Sequence, residues 1–221
     1  MTSRPLRVIG LTGLPSSGKG EVAAAILSAA ATHGWRCAHL SFSDEIKAEA
    51  LRRGHDAGTL DRELLSRVAT DLRRTGGSGI LAERIVDRIS SWPEPVPEVF
   101  VVEALRHIGE AAVLRRRFGE RFSLVAVVAD LPVIAGRLLR RARPDESPAA
   151  LRSVQDAIRL LETELRGSSP EAPNVGQTIA IADVRIENNG TLEDLRSRVT
   201  ALFEQLWATP TPRCATTSCP P

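Results

Sequence analysis

Nowhere in the 221 residues is there an apolar run long enough to cross a bilayer, and no stretch reads as a secretory signal peptide. Cysteine is scarce. The three that occur, Cys37, Cys214 and Cys219, have no metal-binding spacing, and two of them fall in a Pro/Thr-rich C-terminal stretch. The four histidines are scattered, and there is no internal repeat. A formal net charge of only +2 leaves no bulk field to draw the chain to nucleic acid or a membrane surface. These absences lead us to expect a soluble, cytoplasmic protein in a reducing compartment, with neither nucleic acid nor membrane as partner. Lysine is nearly missing as well: of 29 basic residues only Lys19 and Lys47 are lysines. A bias toward arginine of that kind is compositional, so the two exceptions draw notice.

Lys19 lies in the stretch around which the chain is organised, Gly13-Leu14-Pro15-Ser16-Ser17-Gly18-Lys19-Gly20. It follows the apolar run Val8-Ile9-Gly10-Leu11 and precedes an Ala-rich segment, 22–31, with helical character. Strand, glycine loop and helix in that order make a phosphate cradle. The glycines let backbone N–H groups turn inward, the helix N-terminus adds partial positive charge, and the lysine reaches the outer phosphates. We therefore expect ATP on Gly13–Gly20 and Glu21, with Mg²⁺. The usual hydroxyl residue after the lysine, which holds the metal, is replaced by Gly20. Glu21 has two readings: it holds a metal-bound water, or it favours the first turn of the helix.

Apolar strands are expected over 6–12, 36–42, 99–102, 123–129 and 184–187. Helices are expected over 20–33, 44–53 (capped by Ser43-Asp44), 60–75, 78–91, 108–118, 131–141 and 191–207. The alternation predicts an α/β, three-layer fold with a five-stranded parallel sheet and helices on both faces. A single domain is expected over 1–207. Within it, 43–91 forms an acceptor-binding region, and 142–175, with four prolines and a polar helix near 147–165, a lid rather than a core element. Residues 208–221 are expected to be a disordered tail.

In an open parallel sheet, ligands bind beyond the carboxyl ends of the strands. The end of the third strand, Glu103-Ala104-Leu105-Arg106, therefore falls near the glycine loop. Glu103 can hold Mg²⁺ through water or accept a hydroxyl proton, and Arg106 can fork onto a phosphate; the plainer reading is a structural ion pair. Asp44 and Lys47 lie at the end of the second strand, and Asp44 is also a good helix N-cap. Arg62 opens the next helix, where it either reaches an acceptor phosphate or faces water. Arg137, Arg140, Arg141 and Arg143 cluster before the lid, and one or two of them are expected to touch nucleotide.

The glycine loop with Lys-Gly, the Ser43–Lys47 stretch, Glu103–Arg106 and the arginine-rich helix before the lid follow the order of adenylate kinase-like P-loop kinases, which the chain resembles over about residues 6–206. In that family an arginine after the second strand binds the acceptor phosphate, and Lys47 takes its place. Arg106 matches a second acceptor arginine that follows an Asp-Gly pair, with Glu103 and Ala104 standing for the pair. The stretch Ile181–Leu192 is similar to dephospho-CoA kinase, and the whole order is similar to kinase-like ATPases of the AAA family. The resemblance implies phosphoryl transfer from ATP to a small phosphorylated acceptor, a ribo- or deoxyribonucleoside monophosphate, held by Asp44, Lys47, Arg62 and Arg106. Lys19, Arg137, Arg141 and Glu103 would be catalytic. Dephospho-CoA as acceptor is the alternative. An ATP-binding regulatory module with no small acceptor is a third reading, of another class.

Overall fold

A computed structural model describes residues 6–141 and 153–208. Five strands, β1 (Arg7–Thr12), β2 (Cys37–Ser41), β3 (Val99–Leu105), β4 (Phe122–Val128) and β5 (Val184–Glu187), form one sheet in the order β2-β3-β1-β4-β5. Every pairing is parallel. The expected α/β architecture is therefore present.

A parallel sheet needs crossovers on both faces, so its central strands are apolar on both sides. Val99, Phe100, Val101 and Val102 are all fully buried. Phe100 and Val102 look toward α2 (Phe42–Arg52), α4 (Ile80–Ser90) and α5 (Ile108–Phe118), where they meet Phe42, Leu81, Ile85 and Leu114. Val99 and Val101 look the other way, toward α1 (Lys19–Thr32) and α9 (Leu192–Ala208), and meet Val22, Ile26, Val199 and Phe203.

Two helices depart from expectation. Ser41, the last residue of β2, caps α2 by accepting from the Ser43 amide, so Asp44 is an acid in the first turn and not the cap. The helix placed near 147–165 is α7 (Val154–Arg166), and it is no polar excursion. Ala157 and Leu161 are fully buried against Ile134, Ala135 and Leu138 of α6 (Leu131–Arg141) and Val175 of α8 (Val175–Ala180). The rest of the lid assignment (142–152) and the tail (209–221) lie outside the described residues.

β3 runs three residues further than expected and ends in a bulge. Leu11 pairs with Glu103 and Thr12 with Leu105, skipping Ala104. Ala104 has φ +73°, a left-handed conformation that costs an alanine roughly 1–2 kcal/mol. Glycine would be unstrained here, and a Gly is what the adenylate kinase-like pattern places at this position. Ala104→Gly should leave stability unchanged or raise it by up to about 1 kcal/mol, relief of strain offsetting the freer unfolded chain. Ala104→Val should lower it by about 1–3 kcal/mol. Urea melts check this: only Ala104→Val should fall below the wild type.

Candidate phosphate-binding cleft

The glycine loop links β1 to α1. Gly13 (φ +143°) cannot carry a side chain: a Cβ would stand 2.2 Å from the carbonyl oxygen of Val127. A Cβ on Gly18 (φ +105°) would stand 2.2 Å from the Asn188 amide nitrogen. Gly18 caps α1 with no side chain on its first-turn amides, which leaves the positive end of the helix to a ligand. Gly20 is different, because a Cβ there would meet nothing within 4 Å. Nothing steric bars a metal-holding hydroxyl at this place.

Asn188 braces the loop from the far end of the chain. Its side-chain amide donates to the Ser17 carbonyl at 2.8 Å, its own N–H donates to the Val128 carbonyl at 2.7 Å, and its carbonyl accepts from Arg137 Nη1 at 2.9 Å. The Asn-Asn-Gly sequence, read as a turn, thus ties the glycine loop to β4 and α6.

Lys19 folds back over the loop, where Nζ donates to the carbonyls of Gly13 (3.0 Å) and Leu14 (2.9 Å). Burial, reinforced by the nearby Arg106 charge, lowers its pKa to about 7; Glu103 and Glu164 act in the opposite direction.

A cleft of about 620 Å³ opens in front of this loop. It is bordered by Pro15, Ser16, Gly18, Lys19, Gly20 and Glu21 of the loop and the start of α1, by Lys47, Arg62 and Arg106, and by Glu103, Arg137 and Arg141. Gly13, Leu14 and Ser17 are not at the wall. Leu14 packs into the apolar cluster of α6 and α7, and Ser17 Oγ is buried without a hydrogen-bond partner. Neither Asp44 nor Arg140 borders the cleft, and Arg143 lies outside the described residues.

Among the described residues, seven basic side chains and three acidic ones stand around the cleft wall, an excess larger than that of the whole chain. Arg62 and Arg106 come together through Glu164 of α7, which accepts from Arg62 Nη2 at 2.7 Å and from Arg106 Nη1 at 3.2 Å. Burial pushes the Glu164 carboxyl up, but the charges of Arg106 and Arg62 outweigh it and hold the group below the usual range. Glu103 is tethered from the neighbouring strand by His39, Nε2 to Oε2 at 3.2 Å. That hydrogen bond raises the imidazole pKa in spite of partial burial.

Sequence reasoning missed Glu164, Asn188, His39 and Arg73. A signal for Arg73 was present: α3 (Arg62–Gly76) places Arg62, Leu65, Ser66, Ala69 and Arg73 on one helical face, and all five border the cleft. Glu164 had none, since its contacts with Arg62 and Arg106 span 102 and 58 residues.

Among the described residues no group of three or more His, Cys, Asp or Glu side chains could hold a metal ion. Two of the carboxylates at the cleft wall, Glu21 and Glu103, suit Mg²⁺, which keeps several waters and leans on phosphate oxygens. Among the described residues no helix is long and apolar enough to cross a membrane.

The fold is shared with solved structures. TT1252 from Thermus thermophilus superposes with a TM-score of 0.55 at 22% identity, covering 92% of this chain and 99% of that one. Shikimate kinase from Bacteroides thetaiotaomicron superposes with the same TM-score at 13% identity, covering 90% and 98%. The chain thus has a P-loop kinase-like fold. No family model matches it. In sequence it is similar to UPF0200 proteins of Aeropyrum pernix, 33% identical over 196 residues (88% of this chain, 91% of that one), and of Methanosarcina mazei, 31% identical over 194 residues (88% and 92%). With identity at that level across most of both chains, the protein belongs to the UPF0200 family.

Proposed function

We propose that the protein transfers the γ-phosphoryl group of ATP to a small phosphorylated acceptor, a ribo- or deoxyribonucleoside monophosphate. The observation that carries this reading is the convergence of Arg62 and Arg106 on one carboxylate, in the cleft that the glycine loop also borders. Two guanidinium groups that share an internal anion are placed to take an anionic ligand group in its stead.

Phosphoryl transfer asks for position and charge stabilisation and for little covalent work from the protein. The amides of the glycine loop and the start of α1 receive the phosphates of ATP. Lys19 leaves the Gly13 and Leu14 carbonyls for the outer phosphates. Arg137 and Arg141, one turn apart on α6, add charge where it grows in the transition state. Lys47, Arg62 and Arg106 orient the acceptor. Mg²⁺ would be held by the phosphates and by water on Glu103 or Glu21, and would supply further neutralisation of phosphate charge. Asp44 is left out of the acceptor set, because it does not border the cleft.

Glu164 competes with the acceptor for both arginines. Glu164→Gln weakens that competition, so the acceptor KM should fall about threefold or more, a surface ion pair setting the lower bound for this largely buried one, with the KM for ATP unchanged. A rise in the acceptor KM would instead make Glu164 a direct ligand of the acceptor.

The deciding experiment is ADP formation from MgATP with each ribo- and deoxyribonucleoside monophosphate, with dephospho-CoA, and with no acceptor. Acceleration by one or a few monophosphates supports the proposal. Acceleration by dephospho-CoA alone replaces it with that kinase activity. ATP binding with no response to any acceptor points to a regulatory ATP module.

A further inference from the structure

Phosphate handling uses Arg62 of α3 and leaves Arg73, at the other end of the same helix, unexplained. Arg73 is only 3% exposed, yet it borders the cleft. Its Nε and Nη2 both donate to Oε1 of Glu110, at 3.1 and 2.7 Å. Glu110 is wholly buried, and its second oxygen accepts from the backbone N–H groups of Arg106 (2.8 Å) and His107 (3.1 Å). The remaining nitrogen, Arg73 Nη1, is buried and has no hydrogen-bond partner. A buried donor left unmade carries its full desolvation cost, so a ligand that supplies an acceptor atom there binds more tightly for it.

The chemistry of that ligand atom follows from the surroundings. Glu110 already neutralises the guanidinium, so the leftover N–H suits a neutral acceptor better than a second anion. The neighbouring wall is apolar, formed by Ile46, Leu65 and Ala69, with one hydroxyl from Ser66. Eleven residues along a helix span about 16 Å, so Arg62 and Arg73 address different ends of one ligand.

We propose that Arg73 reads the base of the acceptor, Nη1 donating to a ring nitrogen or an exocyclic carbonyl remote from the phosphate that Arg62 and Arg106 receive. The inference rests on the acceptor being a nucleoside monophosphate and adds the residue that selects its base.

Arg73→Lys keeps a cation opposite Glu110 and removes Nη1. Binding of the ribo- and deoxyribonucleoside monophosphates and of ribose 5-phosphate is measured by calorimetry on wild type and variant. In the wild type at least one nucleotide should bind at least about tenfold more tightly than ribose 5-phosphate, the scale of one buried hydrogen bond. Arg73→Lys should erase that margin and leave the affinity for ribose 5-phosphate and the KM for ATP unchanged. A merely structural arginine would weaken both ligands alike, and that result overturns the inference, as does a margin that survives.

A measurement on the wild-type protein covers the case of a variant that does not fold. The preferred nucleotide carrying a non-hydrogen-bonding isostere of its base should bind at least about tenfold more weakly than its parent, and equal binding overturns the inference. If no nucleoside monophosphate binds at all, the nucleotide reading itself fails, and this inference with it. If one binds and Arg73→Lys leaves its margin intact, the inference alone fails.

Discussion

Lys19→Met should lower kcat by about a thousandfold or more, the scale of removing one preorganised charge from a phosphoryl-transfer site. Lys19→Arg should not restore it, because a planar fork does not replace a compact ammonium in a buried position. A variant with near wild-type turnover would remove the glycine loop from the catalytic account.

The same residue sets a pH signature. In the ligand-free protein the Lys19 pKa is lowered to about 7, against 10.5 ordinarily. At pH 8 the group is therefore mostly neutral in the free protein, and phosphate oxygens favour its charged form. ATP binding at pH 8 should take up close to one proton in the wild type and none in Lys19→Met. Calorimetry in buffers of different ionisation enthalpy reads that number directly. ATP affinity should accordingly fall as pH rises above about 7. Stability responds with the opposite sign. Between about 7 and 10.5 the unfolded chain binds the proton that folded Lys19 has shed, so this group makes the ligand-free protein more stable as pH rises through that window.

The second large effect is on folding. Glu110 is wholly buried, pairs with the buried Arg73 guanidinium, and also receives two backbone amides at the start of α5. Glu110→Ala would leave the arginine charge and both amides without their acceptor. Breaking a buried pair from one side costs about 3–5 kcal/mol. For a chain of this size that corresponds to a fall in Tm of roughly 10 °C. Glu110→Gln, which keeps an acceptor oxygen but loses the charge, should fall between the two. A loss below 1 kcal/mol in Glu110→Ala, read from urea melts, would falsify the reading of this pair as a buried keystone of the acceptor side.

How legible the chain was depended on the range of the interactions. β1, β4 and β5 are runs of apolar residues bounded by turns, and the expected bounds match the observed ones to within a residue. The glycine loop was legible for the same local reason; Arg137 and Arg141 both border the cleft, since a helix repeats its face every three to four residues. β3 was read short because its last residues, Glu103 to Leu105, include a charge and a bulge, and neither looks like strand in sequence. α7 was read as polar because its apolar stripe, Ala157 and Leu161 with Ile158 and Leu165 beside it, sits among charged residues. Asn188 and Glu164 act only across more than fifty residues of chain, and no local pattern announces such a partner.

The brace between Ser17 and Asn188 joins positions 171 residues apart. During synthesis the glycine loop emerges well before its brace, with β2, β3, β4 and β5 made in between. A nascent chain that has completed β1 to β4 has its central strands but not the contact that holds Gly18 and Ser17 in shape. The glycine loop therefore takes its braced shape only once the strand at the far edge of the sheet, β5, and the turn after it have been added.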